Sequence, residues 1–164
     1  MQDGFSTLIQ DIFAKLETSN WMLATAESCT GGLISAAITA ESGSSAYFDR
    51  GFVTYSNAAK IDMLGVQAKT LDAYGAVSEQ TAIEMAQGAF KNSQANIAIS
   101  VTGIAGPTGG SAEKPVGLVY IGCATQDNAF AQQFNFDDMT REDVRGSTVK
   151  EALSILLTAI IPPT

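Results

Sequence analysis

The chain has 164 residues, 46% hydrophobic and 16% charged, the composition of a folded domain with one core rather than a disordered segment. Nine Lys and Arg against seventeen Asp and Glu leave a net charge of −8. No basic run could follow a phosphate backbone, so nucleic acid is not an expected partner. Histidine is absent, which excludes Ser–His and Cys–His catalysis, His-ligated zinc and the usual base near neutral pH.

Cys29 and Cys123 are too few for a disulfide framework or a four-thiolate zinc site. Residues 1–20 lack a basic segment leading into a continuous apolar stretch, so no signal peptide is expected. The apolar tail from Ala152 to Ile161 is too short to cross a bilayer. The expectation is a soluble cytoplasmic protein with reduced thiols and no membrane partner.

Apolar residues at Phe5, Leu8, Ile9, Ile12, Phe13 and Leu16 fall three and four apart, predicting a helix that ends near Ser19-Asn20. Trp21 to Ala26 reads as a buried strand, stopping at the polar cluster Glu27–Gly32. Leu33 to Ala40 reads as a helix and Glu41 to Ser45 as a turn-rich loop. Phe48 to Tyr55 looks like a strand and Asn57 to Leu64 like a short helix. Ser78 is a natural N-cap for a helix running to about Asn92, with Ala82, Ile83, Met85, Ala86, Ala89 and Phe90 on its apolar face. Ile97 to Val101 is a second buried strand. A long Gly- and Pro-bearing loop follows, from Thr102 to Pro115.

Val116–Thr125 and Ala129–Phe136, joined at Gln126-Asp127-Asn128, predict an antiparallel hairpin. Thr140 and Asp143 form a capping-box pattern opening a last helix through Ile161, closed by Pro162-Pro163. Strands alternating with helices, plus a hairpin, indicate one α/β domain over residues 1–164. Its expected form is a three-layer α/β/α sandwich around a mixed, mostly parallel sheet.

Ligands of open α/β sheets gather beyond the carboxyl ends of the strands. Three polar loops follow predicted strand ends here: Glu27–Gly32, Tyr55–Lys60 and Thr102–Pro115. Ser28 lies between a strand and a helix start, where backbone N–H groups of Cys29, Thr30 and Gly31 could hold a phosphate or an oxyanion. Equally, Glu27, Ser28 and Thr30 could simply cap the helix. If Asn57 caps the next helix, Lys60 projects from its first turn. The helix dipole and partial burial would then lower its pKa and supply the base that histidine does not. A solvated surface lysine fits the same pattern. The Gly103-x-x-Gly106-x-x-Gly109 spacing lacks the Gly-Lys-Ser/Thr ending of a P-loop and opens no helix as a dinucleotide fingerprint would.

Five stretches carry a resemblance: Thr25–Gly32 (TAESCTGG), Gly43-Ser44-Ser45, Arg50–Asn57 (RGFVTYSN), Gly75–Glu79 (GAVSE), and Ser100–Pro107 (SVTGIAGP) continuing through Glu113–Gly117. In this order they resemble the CinA carboxyl-terminal domain family, whose stand-alone PncC-type members are nicotinamide-nucleotide amidohydrolases. The likeness implies deamidation of nicotinamide mononucleotide to nicotinate mononucleotide in pyridine nucleotide recycling, by a homodimer without metal or cofactor. It assigns Ser28 as nucleophile and Lys60 as its base, with Tyr55 and Thr102 orienting nucleophile or substrate. It also assigns Thr30, Gly31, Gly32, Gly103 and Gly106 to the nucleotide pocket and Arg141 and Arg145 to the phosphate. Met139-Thr140-Arg141 departs from the Gly-Asp-Arg common in the family, and Gly146 stands where arginine is frequent. Cys29 is an alternative nucleophile. A nucleotide-binding module of the same family without turnover is the alternative function.

Overall fold

A computed structural model describes residues 4–161 of the chain. Five strands form one sheet: β1 (Leu23–Glu27), β2 (Phe48–Val53), β3 (Ile97–Gly103), β4 (Leu118–Thr125) and β5 (Ala129–Asn135), in the order β2-β1-β3-β4-β5. β1 pairs in parallel with β2 and β3, whereas β4 pairs antiparallel with β3 and β5. Only β4 therefore runs against the other four, and the sheet is mixed but mostly co-directional. The hairpin turn closes where the Thr125 N–H donates to Asn128 O at 2.8 Å.

Among the described residues six α-helices cover the two faces: α1 (Ser6–Ser19), α2 (Leu33–Ala40), α3 (Asn57–Leu64), α4 (Ala68–Tyr74), α5 (Glu79–Lys91) and α6 (Arg141–Ala159). The stripe read on α1 is the buried one: Ile9, Ile12, Phe13 and Leu16 join Ile34 and Ile38 of α2 and Leu153 and Leu156 of α6. Against them lie Leu23, Ile97, Ile99, Val101, Val119 and Ile121, the large residues of the strands. On the opposite face the period-2 alternation presents Ala24, Ala26 and Ala98, which α5 covers with Met85 and Ala89. One face is filled by large aliphatic side chains and the other by close backbone approach.

That close approach makes particular glycines necessary. A Cβ on Gly122 would lie 2.3 Å from Ala82 O of α5, and one on Gly88 would lie 2.0 Å from Leu64 O at the end of α3. Helix propensity alone favours Ala over Gly by about 1 kcal/mol in a helix interior. At Gly88 the clash is with backbone, so overpacking of about 1–3 kcal/mol should win. Gly88→Ala is expected to lower the midpoint of urea unfolding; an unchanged or raised midpoint would refute this packing account.

Boundaries shift by a residue or two from the sequence reading, since β1 extends to Glu27, β2 stops at Val53, β4 starts at Leu118 and α6 ends at Ala159. The cap of α3 is Ser56, whose Oγ accepts from the Ala59 N–H at 3.0 Å, rather than Asn57. Thr140 caps α6, its Oγ1 accepting from the Asp143 N–H at 3.2 Å. Helix α4 has no counterpart in the sequence reading. Pro162-Pro163 lies outside the described residues. Among the described residues, no helix is long and apolar enough to cross a membrane.

Candidate active site

The parallel register aligns three strand ends. Glu27 stands opposite Val53 on one side and Val101 on the other, so Ser28, Thr54 and Thr102 follow side by side. The ladder continues one step beyond β1, with the Ser28 N–H donating to Val101 O at 3.1 Å and the Thr54 N–H to Glu27 O at 2.9 Å. This is the carboxyl end of the sheet, beside β1, from which the chain moves first toward β2 and later back across to β3. A cleft of about 350 Å³ opens there, lined by Ser28, Tyr55, Lys60, Thr102, Gly106 and Arg141 among others. That volume lies within the roughly 300–1,000 Å³ of small-molecule sites.

Glu27, at the end of β1, directly precedes Ser28 in the chain. Its carboxylate is wholly buried and accepts from the N–H groups of Ile34 and Ser35 at 2.8 and 3.0 Å and from Ser35 Oγ at 2.8 Å. A strand residue thus caps α2 from inside, where a negative charge matches the helix dipole. The start of α2 is occupied by the protein's own carboxylate. Gly31 and Gly32 adopt positive φ values of 58° and 103°, which let the chain turn tightly between Ser28 and α2. The Gly31 N–H is spent on Ser28 O at 3.0 Å. No oxygen of the described residues accepts from the N–H groups of Cys29 or Thr30.

Lys60 is 1% exposed, the largest fully buried side chain among the described residues. Its Nζ lies 3.0 Å from Ser28 Oγ, donates to Thr54 O at 2.8 Å, and is 3.5 Å from Tyr55 O. Burial pushes its pKa below the ordinary lysine value of 10.5, against a smaller opposing influence from Cys29. A neutral amine has two N–H donors and one lone pair. In that form the carbonyls of Thr54 and Tyr55 would take the donors, and the lone pair would be free to accept from the Ser28 hydroxyl. The solvated-lysine reading of Lys60 is thereby excluded.

Residues 5–160 match the family model described as CinA C-terminal domain. The chain belongs to the CinA C-terminal domain family. It is 57% identical over 138 residues to "Nicotinamide-nucleotide amidohydrolase PncC" of Enterobacter agglomerans, with 82% of each protein covered. It is 49% identical to a CinA-like protein of Syntrophobacter fumaroxidans over 87% of this chain, spanning 33% of that longer protein. Among solved structures, the competence/damage inducible protein CihA of Agrobacterium tumefaciens superposes with a TM-score of 0.91 at 50% identity, over 94% of each chain. A CinA superfamily protein of Klebsiella pneumoniae 700603 gives 0.91 at 35% identity, over 96% and 98% of the two chains.

In this CinA C-terminal domain the remaining expected site residues separate into two groups. Tyr55 and Arg141 stand at the mouth of the cleft, where Arg141 donates from Nη1 to Gly106 O at 2.8 Å and from Nη2 to Tyr55 Oη at 3.2 Å. Thr102 lines the cleft, and its hydroxyl is spent on Ala76 O at 2.7 Å, fixing the wall formed by Ala76 and Val77. That wall, which the sequence reading missed, follows α4 through Gly75, whose φ is 79°. Lys114 of the long loop donates to Tyr74 O and ties the loop to the same wall.

The second group lies outside the cleft lining: Thr30, Gly31, Gly32 and Arg145. Arg145 reaches the back of the serine turn, donating from Nε to Cys29 O at 3.1 Å and from Nη2 to Thr30 O at 3.2 Å. Its Nε and Nη2 donors are thus both engaged by the serine turn.

Cys29 is 6% exposed, and burial pushes its thiol up to about 11; Cys123, also buried, is pushed up to about 12. Thiolate is the reactive species, so neither sulfur is a nucleophile near neutral pH. Alkylation of the native protein at neutral pH is expected to be slow at both positions and fast after unfolding. Rapid native labelling of Cys29 by iodoacetamide would restore it as a rival to Ser28.

Proposed function

We propose that this protein hydrolyses the carboxamide of nicotinamide mononucleotide, giving nicotinate mononucleotide and ammonia in the recycling of pyridine nucleotides. The observation that carries the reading is the buried Lys60 amine 3.0 Å from Ser28 Oγ at the floor of a small-molecule cleft. The activity named for the relative at 57% identity suggests the substrate class.

In this mechanism Ser28 Oγ attacks the carboxamide carbon as its proton passes to the Lys60 lone pair. The carbonyl oxygen takes the negative charge of the tetrahedral adduct, facing the uncommitted N–H groups of the Cys29–Thr30 segment. Lys60 returns the proton to the departing nitrogen, the C–N bond breaks, and ammonia leaves a Ser28 ester. Lys60 then accepts a proton from water, the hydroxyl adds to the ester carbon, and the proton returns to Ser28 Oγ as nicotinate mononucleotide is released. Tyr55 and the Gly103–Gly106 segment border the nucleotide, and Arg141 is the cation at the mouth that can meet its phosphate. The chemistry needs only side chains of the chain itself, and two copies are expected to associate.

The test is ammonia release from nicotinamide mononucleotide by the purified protein, with nicotinate mononucleotide identified by mass. Stoichiometric appearance of both products supports the assignment. Substrate that binds yet stays intact on prolonged incubation overturns it in favour of a binding module.

A further inference from the structure

Two arginines one turn apart on α6 meet different fates. Arg141 spans the mouth of the cleft, whereas Arg145 donates to two successive carbonyls of the turn that carries the nucleophile. The two carbonyls differ in what else they bond. Thr30 O also accepts from the Leu33 N–H at 3.1 Å, but Arg145 is the sole protein donor to Cys29 O among the described residues. The Cys29–Thr30 peptide is trans; among the described residues only Gly106-Pro107 is cis. In a trans peptide the C=O and N–H point in opposite directions. By holding Cys29 O, Arg145 therefore fixes the opposite heading of the Thr30 N–H. Among the described residues that N–H has no oxygen partner, and it belongs to the peptide that leads from the cleft-lining Cys29, two residues after the nucleophile. A cation on the carbonyl also polarises the peptide, which strengthens its N–H as a donor.

We infer that Arg145 is a positioning residue: it orients and polarises the Cys29–Thr30 peptide so that the Thr30 N–H meets the oxyanion formed on Ser28. This rests on the serine mechanism proposed above and reassigns Arg145 from the phosphate to the reacting carbonyl. The free N–H at a nucleophile's turn is a recurrent oxyanion donor. What is particular here is a guanidinium behind the turn, on the carbonyl of the same peptide.

The experiment has two arms. In the first, ammonia release is followed for wild type, Arg145→Ala, Arg145→Gln and Arg141→Ala, on nicotinamide mononucleotide and on its dephosphorylated nucleoside. Arg145→Ala should lower kcat by roughly 10²-fold with KM within about threefold, and should leave the preference for the phosphorylated substrate unchanged. Ethylguanidinium in the buffer should recover part of the lost kcat. Arg141→Ala should instead raise KM and erase the phosphate preference.

The second arm needs no substrate. An alkyl fluorophosphonate phosphorylates Ser28 directly: the Oγ–P bond forms, the P–F bond breaks, fluoride leaves, and the Ser28 proton passes to Lys60. The phosphoryl oxygen then occupies the oxyanion position. The labelling rate, read by peptide mass, should fall in Arg145→Ala and Arg145→Gln in parallel with kcat.

A raised KM with intact kcat, or a lost phosphate preference, in the Arg145 variants would overturn the inference. So would a kcat loss that tracks a lowered Tm and ignores ethylguanidinium, or unchanged labelling. If wild type is labelled yet releases no ammonia, the substrate assignment fails while the labelling rates still decide the role of Arg145. A wild type that is neither labelled nor active overturns both.

Discussion

Replacing Ser28 by alanine is expected to reduce ammonia release by roughly 10⁴-fold or more, as removal of the nucleophile does in serine hydrolases. The loss should fall on kcat. Among the described residues Lys60 is the only hydrogen-bond partner of Ser28 Oγ, so binding contacts elsewhere in the cleft remain. The side chain is small and its hydroxyl has one protein partner, so Tm should stay within a few degrees of wild type. The paired readouts are steady-state kinetics and thermal unfolding. A Ser28→Ala protein with more than a few per cent of wild-type kcat would remove Ser28 from the mechanism, and the fluorophosphonate mass shift should vanish with it.

Lys60→Met is the second large effect, and it separates activity from stability. Methionine keeps an unbranched stem in the buried channel but offers no lone pair to the Ser28 hydroxyl. Loss of a general base costs typically 10²–10⁴, and the upper part of that range is expected because histidine is absent. In wild type, activity should rise with pH as Lys60 loses its proton, with an inflection below the ordinary lysine value of 10.5. Activity that climbs only near that value would contradict a neutral lysine base.

The same burial gives a signed prediction for stability. Folding lowers the Lys60 pKa, so between the folded value and 10.5 the unfolded chain binds more protons than the native protein. Wild-type stability owed to Lys60 therefore rises with pH across that window. It is fully present above 10.5 and is lost as pH falls through the folded value. Lys60→Met removes this dependence. Its Tm relative to wild type should be most favourable below the folded pKa and should lose ground as pH rises. A constant Tm difference across the range would mean that folding does not perturb the lysine.

The sequence alone carried the layers and the ends of the site. Periodicity marked α1 and α5, because one stripe of each helix is buried against a sheet and the rest meets water. The sequence marked β1 and β3 only as buried strands; that their large and small residues sort onto two unlike faces was seen in the fold. Helix α4 escaped notice because AKTLDAY is short and lacks a side-chain cap bond; its Thr70 and Leu71 are buried only through packing. The motifs also placed Ser28, Tyr55, Lys60 and Thr102 in polar loops after strands, and the structure gathers all four at one cleft.

The tertiary structure decided which of those residues meet and which of their donors are already bonded, because both depend on directions that spacing does not encode. The −8 charge and the missing histidine narrowed the chemistry to a base other than imidazole. Whether Lys60 was that base or a surface ammonium depended on the register that sets Thr54 and Ser28 side by side. The sequence placed a helix start after Ser28, but the fold gave that helix start to Glu27 and the back of the turn to Arg145. Local sequence determines which groups lie near a strand end. Only long-range pairing determines which donors are already spent, and a donor that is spent on the chain is not available to a substrate.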